Sequence, residues 1–502
     1  MNLGQQSWSR VNMTKPINTN ETFGYGFATV QNPAWSLPQV LLATGGRLIH
    51  GRSDMVFRSI STDSRTLEAG DLFLALTGDR FDGHDYIDKA MQNGAAGMIV
   101  SKPPEHVPPI PLISVKDTLR TLGDLAGYRR SQMPRLQVIG ITGSSGKTTV
   151  KEMVATILEK KFRVLKTQGN FNNLVGLPLS LLPVDYAHDV AVLEMGMNRP
   201  GEIARLTEIA DPDIGCIVNV QDAHLAGLKD IRGVAEAKGE LFSGMKAWGK
   251  LAVNIDDSNV RRLANRHSLE KIHFGRGKKA MVRATHIINC GEKGMRFNLH
   301  IGSQKERILI KSLGEHNVMN ALAAAAITHG IGLSLSQITL GLSLFKPYDK
   351  RMQVEHSACG IKVVNDTYNA NPSSMLAALQ ALKGLSRGHK TIVVLGDMLE
   401  LGKQSVAAHR YVGESVASIG FDYLFAVGSY AETVVSAARD SGMTTEQAQL
   451  FVTKDAIADT LRNFMHNGTI QKGDLILVKG SRGMRMEVIV EAIAQMAKKE
   501  TV

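Results

Sequence analysis

The sequence predicts an α/β protein of three domains, two of them built on doubly wound, parallel sheets. Three observations predict it. Short apolar runs alternate with helical stretches over residues 136–256 and again over 361–496, and strands that alternate with helices pair in parallel. The first alternation opens on strand, glycine loop and helix: LQVIGI, TGSSGK and TTVKEMVATILEKK. The length, 502 residues, exceeds what one hydrophobic core organises, so two or three domains are expected.

Residues 1–34 are polar, rich in Asn, Thr, Gln and Gly, and lack apolar periodicity, so a disordered tail is expected there. The opening MNLGQQSWSRVNMTKPINTN lacks the apolar centre of a signal peptide. Residues 35–116 mix short apolar runs with turn signals: VFRSISTDSRTLEAGDLFLAL suggests strands broken by polar loops, and HDYIDKAMQNGA a short helix. A small α/β domain fits. Residues 117–133 read as a linking helix closed by Pro134, which opens a central domain, 117–347. After the phosphate-type loop come strands at DVAVLEMG, DIGCIVNV and KLAVNID, with helices at Pro200–Ala210 and Ile231–Met245. In the third domain, 348–502, IKVVNDTY, TIVVLGDM, YLFAVG and DLILVKG read as strands of a Rossmann-like sheet. Met486, Ile489, Ile493 and Met496 share one face of its last helix.

Composition narrows the classes. With 43% hydrophobic and 21% charged residues the chain reads as soluble and globular, and no apolar run is long enough to cross a bilayer. Cys216, Cys290 and Cys359 are dispersed, without disulfide or metal-ligand spacing, so reduced thiols and a cytoplasmic location are expected. The net charge is +11, yet Lys and Arg are scattered apart from short clusters such as Arg276–Lys279. No aromatic-interleaved basic stripe appears, so anionic small substrates are expected and nucleic acid is not.

The strongest local signal is Gly143, Ser144, Ser145, Gly146, Lys147, Thr148 and Thr149, between a strand and a helix. Glycines let the backbone curl so that successive N–H groups face phosphate oxygens, and the helix N-terminus adds positive dipole. Lys147 can reach β- and γ-phosphates, and the Thr148 hydroxyl can ligate Mg²⁺. The general pattern G-x-x-x-x-G-K-[ST] requires glycine at 141, where Ile141 stands. The variant T-G-x-x-G-K-T is similar instead to the loop of the Mur ligase and folylpolyglutamate synthase superfamily.

With that loop in hand, most of 35–502 resembles the Mur ligase family. The resemblance implies a uridine-nucleotide domain, a P-loop ATPase-like central domain and a Rossmann-like ligase domain. Thr62, Asp63, Ser64 and Arg65, with Asp82 in FDGH, resemble the UDP-substrate residues. Taken alone, they fit a polar turn with a surface ion pair as well. Asn170 and Asn173, in TQGNFNN, correspond to positions beside a UDP-muramoyl group. Glu194 ends DVAVLE, and a carboxylate at the carboxyl end of a parallel strand faces the ligand crevice. The resemblance makes it a Mg²⁺ ligand and His224 a second-metal ligand. Lys238, in AEAKGELF, fits A-K-x-x-[IL]-[FY], whose lysine carries a carbamate in the family. GEHNVMNALAA supplies His316, with Asn317 and Asn320 toward the nucleotide base. Arg351 matches an arginine that reaches ATP phosphates, although Lys350 stands where glycine is expected. Asp366 matches a carboxylate on the ATP ribose; Asn369 and Asn371 are expected in the same crevice. Lys479 and Arg482 are candidate partners for the carboxylate of the incoming amino substrate.

The D-N-P-R tetrapeptide of the diaminopimelate- or lysine-adding branch is absent, while NDTYNANPSS and GDMLELG resemble the branch that adds D-alanyl-D-alanine. The resemblance therefore implies an ATP- and Mg²⁺-dependent amide ligase, with a carbamylated lysine. It would join D-alanyl-D-alanine to UDP-MurNAc-tripeptide through an acyl-phosphate, as a monomer. The alternatives are the diaminopimelate or lysine adder, a folylpolyglutamate synthase-like ligase, a P-loop phosphotransferase and a nucleotide-binding scaffold.

Overall fold

The computed structural model describes residues 34–78, 81–221, 230–357 and 359–496. The expected tail, apart from Ala34, lies outside the described residues, as does His224. No helix among the described residues is long and apolar enough to cross a membrane.

The first sheet has five strands in the order Arg47–His50, Leu112–Ser114, Gly97–Val100, Leu72–Leu74, Ile60–Ser61. Only Arg47–His50 runs antiparallel. Leu72 and Leu74 face one apolar layer and Phe73 the other, as period-two side chains must. The helix Thr118–Ser131 leads out of this unit, its N-terminus capped by the Asp117 carboxylate accepting from the Arg120 N–H. Trp35 is buried against it, with the Arg129 guanidinium 4.1 Å above the indole.

The central sheet has nine strands. Its phosphate-loop strand, Gln137–Thr142, lies between Ile214–Ile217 and Val190–Glu194, parallel to both. These strands are buried on both faces and hence read as continuous apolar runs. Helices Lys147–Leu158 and Glu315–Gly330 cover one face with Val150, Met153, Val154, Val318 and Leu322. Glu202–Ala210 and Ile231–Ser243 cover the other. The parallel expectation needs one correction. Val282–Asn289, Met295–Ile301 and Gln304–Ile310 extend the sheet as an antiparallel meander. Its strands alternate polar with apolar because one face is solvated, and so lack the uniform apolar runs of the parallel core.

The third sheet has six strands, ordered Gln353–His356, Lys362–Asp366, Leu475–Lys479, Thr391–Gly396, Tyr423–Val427, Ala448–Phe451, with only the first antiparallel. Met486, Ile489 and Ile493 are fully buried beside the final helix Glu487–Met496, sharing one face as expected.

Candidate active site

The carboxyl ends of the central strands open into a cavity of about 1420 Å³, lined from both the central and third sheets. Gly146 precedes the helix Lys147–Leu158 with φ +77°. A Cβ there would lie 2.4 Å from Asn320 Oδ1, so close approach and backbone conformation both demand glycine. Asn219 Oδ1 accepts from the N–H groups of Ser144 and Ser145 at 3.1 and 3.0 Å, and its Nδ2 returns a bond to the Ser145 carbonyl. Ser144 Oγ donates to the Gln221 carbonyl and Ser145 Oγ to Gln221 Oε1. The loop is thus held open by side chains from the end of the neighbouring strand.

Lys147 Nζ donates back to the Gly143 carbonyl at 2.9 Å. Burial lowers its pKa; Glu194 opposes that and Arg351 adds to it. Thr148 Oγ1 donates to Glu194 Oε2 at 2.8 Å, Asn172 Nδ2 donates to Glu194 Oε1 at 2.8 Å, and Glu194 is buried. Thr149 lines the same cavity. Lys238, on Ile231–Ser243, is 1% exposed. Burial first, and the Lys147 ammonium second, hold its pKa well below that of an ordinary lysine. Asn170 and Asn173 reach the cavity rim, where Asn173 Oδ1 accepts from the N–H of Gly176 at the start of a short helix. Asn317 Nδ2 donates to the Leu313 carbonyl and Asn320 Nδ2 to Asn317 Oδ1, so the pair is linked and Asn320 packs on the phosphate loop.

The third sheet contributes across the gap. Arg351 Nη2 donates to Thr148 Oγ1 at 2.9 Å, and its guanidinium lies 4.1 Å over the Tyr368 ring. Lys350 has φ +59°, which accounts for the expectation of glycine there. Its Nζ lies 3.2 Å from Glu487 Oε1. Asn371 caps the helix Pro372–Ser386 and donates through Nδ2 to the Ser144 carbonyl. Asp366 Oδ1 accepts from the Met352 N–H.

Lys479 differs from expectation. It is buried, donating to Asp366 Oδ2 at 2.5 Å and to the Asn369 carbonyl at 3.0 Å. Its charge is engaged by Asp366 because an unpaired ammonium at that depth is costly. Arg482 is more than half exposed on the rim and pairs with Glu487 at 2.9 Å. It is therefore the better placed of the two for a substrate carboxylate.

His316, near the Asp366–Lys479 pair, has its pKa pushed from 6.5 to about 4, mainly by burial; Asp366 opposes the shift and Lys479 adds to it. The native state then binds fewer protons than the unfolded chain between those two values, so stability falls as pH drops through that window. Below about pH 4 the loss is complete. His316→Gln should flatten this dependence, measured as urea midpoints at pH 7 and pH 4.5. A slope equal to that of the parent would mean that the His316 pKa is the same in the fold as in the unfolded chain.

The first-domain candidates do not line this cavity. Asp63 accepts from Arg65 at 2.7 and 2.9 Å and its pKa falls to about 2, chiefly through that side-chain bond. Arg65 points to solvent, Thr62 is half-buried, and Ser64 is buried with its carbonyl accepting from Asn93. Asp82 caps Gly83–Tyr86 and pairs with His84 at 2.5 Å, which holds its pKa at about 2.

Comparison with known proteins agrees with this layout. Residues 56–130 match the Mur ligase family catalytic domain, 141–328 the Mur ligase middle domain, and 350–482 the Mur ligase glutamate ligase domain. The UDP-N-acetylmuramoyl-tripeptide–D-alanyl-D-alanine ligase of Escherichia coli is 36% identical over 444 residues, covering 88% of this chain and 95% of that protein. That of Bacillus subtilis is 36% identical over 444 residues, covering 88% and 94%.

The chain belongs to the Mur ligase family.

A crystal structure of MurF from Acinetobacter baumannii superposes with a TM-score of 0.86 at 34% identity, covering 93% of this chain and all of that one. MurF from Thermotoga maritima, in complex with ADP, gives 0.78 at 29% identity, covering 88% and 98%. As a Mur ligase site, the cavity suits a nucleotide and a hard cation. Among the described residues the buried Thr142 hydroxyl at the loop has no partner, the Gly146 cradle excludes any Cβ, and the Thr148 and Glu194 oxygens converge. Sequence reasoning missed Asn172, Asn219, Gln221 and Tyr368. Asn219 and Gln221 carried one usable signal, since both follow directly on the strand Ile214–Ile217.

Proposed function

We propose that this Mur ligase joins D-alanyl-D-alanine to UDP-MurNAc-tripeptide in peptidoglycan precursor synthesis, converting ATP to ADP and phosphate. One observation carries the reading: Lys147, Thr148, Glu194 and Arg351 meet in one cavity although Arg351 comes from the segment leading into the third sheet. The test is an assay containing ATP, Mg²⁺, UDP-MurNAc-tripeptide and D-alanyl-D-alanine, read as pentapeptide by mass. Product formed only when diaminopimelate or lysine meets the dipeptide substrate would overturn the branch assignment. The functional units are 35–116, 117–347 and 348–502, and the enzyme works in the cytoplasm, where these soluble substrates are made.

Amide formation from a carboxylate is uphill in neutral water, so the carboxylate is first activated. Its oxygen attacks the γ-phosphorus of ATP, giving an acyl-phosphate and ADP. Lys147 would stabilise the charge on the transferring group, and Arg351 approaches it from the opposite wall. The amine of D-alanyl-D-alanine then attacks the acyl carbon. It loses a proton, and phosphate leaves with the former carboxylate oxygen. Thr148, Glu194 and a carbamylated Lys238 offer oxygen ligands for Mg²⁺, which would offset phosphate charge. Contacts such as Asn371 to Ser144 join the two walls of the cavity, and drawing those walls together around ATP would exclude the water that hydrolyses an acyl-phosphate.

Arg65 and Asp63 hold the uridine diphosphate end. Arg65→Ala should raise the KM for the UDP-substrate about tenfold, the worth of one charge-assisted bond, and leave the KM for ATP unchanged. An unchanged KM for the UDP-substrate would remove Arg65 from that site.

A further inference from the structure

Among the described residues the chemistry above leaves two buried lysines unused, Lys479, which Asp366 engages, and Lys151. Lys151 lies one turn after Lys147 on the same helix and is completely buried. A charge at that depth persists only with partners. Its Nζ donates to the Thr167 carbonyl at 2.6 Å, lies 3.1 Å from Glu152 Oε1, and sits 5.8 Å from the centroid of the Tyr348 ring.

These contacts run in two directions. Thr167 Oγ1 accepts from the Glu194 N–H at 3.0 Å, and Glu194 Oε2 accepts from Thr148. On the other side, Tyr348 meets Tyr368 edge-on at 6.1 Å, Tyr368 lies under the Arg351 guanidinium, and Arg351 donates to Thr148. The two routes close into a ring: Lys151, Thr167, Glu194, Thr148, Arg351, Tyr368, Tyr348. Four of the seven belong to the central domain, Thr148 and Lys151 on its phosphate-loop helix. Tyr348 and Arg351 lie between the helix Leu335–Leu344 and the strand Gln353–His356, and Tyr368 just beyond Lys362–Asp366.

We infer that Lys151 is a positioning residue that ties the seating of segment 345–352 to the placement of the Thr148–Glu194 pair. Without its ammonium the Thr167 carbonyl is left buried and unpaired, and Thr167 holds the Glu194 N–H from the side opposite the ladder with Ile141. Tyr348 also loses the cation under its ring, which frees Tyr368 and Arg351 to move. The inference rests on reading Thr148 and Glu194 as the pair that faces Mg²⁺.

The test uses the full chain and calorimetric binding of a non-hydrolysable ATP analogue across a Mg²⁺ series. Lys151→Met keeps the length of the stem and removes the charge. It should raise the Mg²⁺ needed for half-maximal binding by about tenfold or more, as loss of an outer-shell support does. Tyr348→Leu should raise it as well, Tyr348→Phe should leave it unchanged, and the double variant Lys151→Met with Tyr348→Leu should be no worse than Lys151→Met alone. Glu194→Gln serves as the reference. If Glu194→Gln shifts the Mg²⁺ requirement while Lys151→Met only lowers the melting temperature, Lys151 is a mere anchor and the inference is overturned. If neither variant shifts it, the reading of Glu194 fails, and the inference with it. Should Lys151→Met not fold, a Tyr348→Leu protein with the parental Mg²⁺ requirement overturns the inference.

Discussion

Phosphate release by Lys147→Ala should fall by about 10²–10³-fold or more, with a melting temperature close to that of the parent. The side chain lies along the wall of the cavity and its ammonium bonds only the Gly143 carbonyl of its own loop, so the fold loses little when it is removed. What disappears is a cation aimed at the place where phosphoryl charge develops. A secondary effect follows from the electrostatics. Lys147 is one of two influences that depress the Lys238 pKa, so its removal should move Lys238 back toward an ordinary lysine. Normal turnover in Lys147→Ala would overturn the assignment of the phosphate loop.

Lys238→Ala should be nearly inactive yet folded, and millimolar formate or acetate should partly restore it. The reasoning starts from charge. An ammonium here would repel both Lys147 and a metal ion, and burial disfavours it further. The neutral amine is the form that would attack CO₂, yielding a carbamate and releasing one proton. An uncharged group would thereby become an anion with two oxygens, the donor type Mg²⁺ prefers. Lys238→Arg should remain inactive, because guanidinium keeps the wrong charge at any accessible pH. Full activity of the Arg variant, or no carbamate signal after labelling with carbon-13 bicarbonate, would sink the idea.

What the sequence disclosed depended on whether a function is written contiguously. The phosphate loop is, and Gly143 to Thr149 occupy the expected strand–helix junction. At Lys350 the departure from the expected glycine left the local backbone open, and the chain takes φ +59° there with a lysine that reaches Glu487. Asn172 was hidden among neighbouring asparagines, since only the approach of strand Val190–Glu194 singles it out. Lys151 drew no reading from the sequence because one partner, Thr167, lies 16 positions away and the other, Tyr348, in the next domain. Lys479 ends a run that reads as a strand and was expected to face the amino substrate, but its engagement with Asp366 arises from the pairing of two strands 113 positions apart. The meander at 282–310 escaped because strands with one wet face resemble polar loops when only apolar runs are sought.

The cradle at Gly146 sets an asymmetry on how the sequence can drift. Two separate constraints act on that position: the φ of +77° and the 2.4 Å approach of Asn320 Oδ1 to any added Cβ. Shortening the residue at 320 lifts the second constraint and leaves the first untouched. A lineage can therefore lose the asparagine while retaining the glycine, whereas the reverse order passes through a strained backbone and a steric overlap at once. Variation among relatives at these two sites should follow that one-way path, with changes at 320 on an invariant 146.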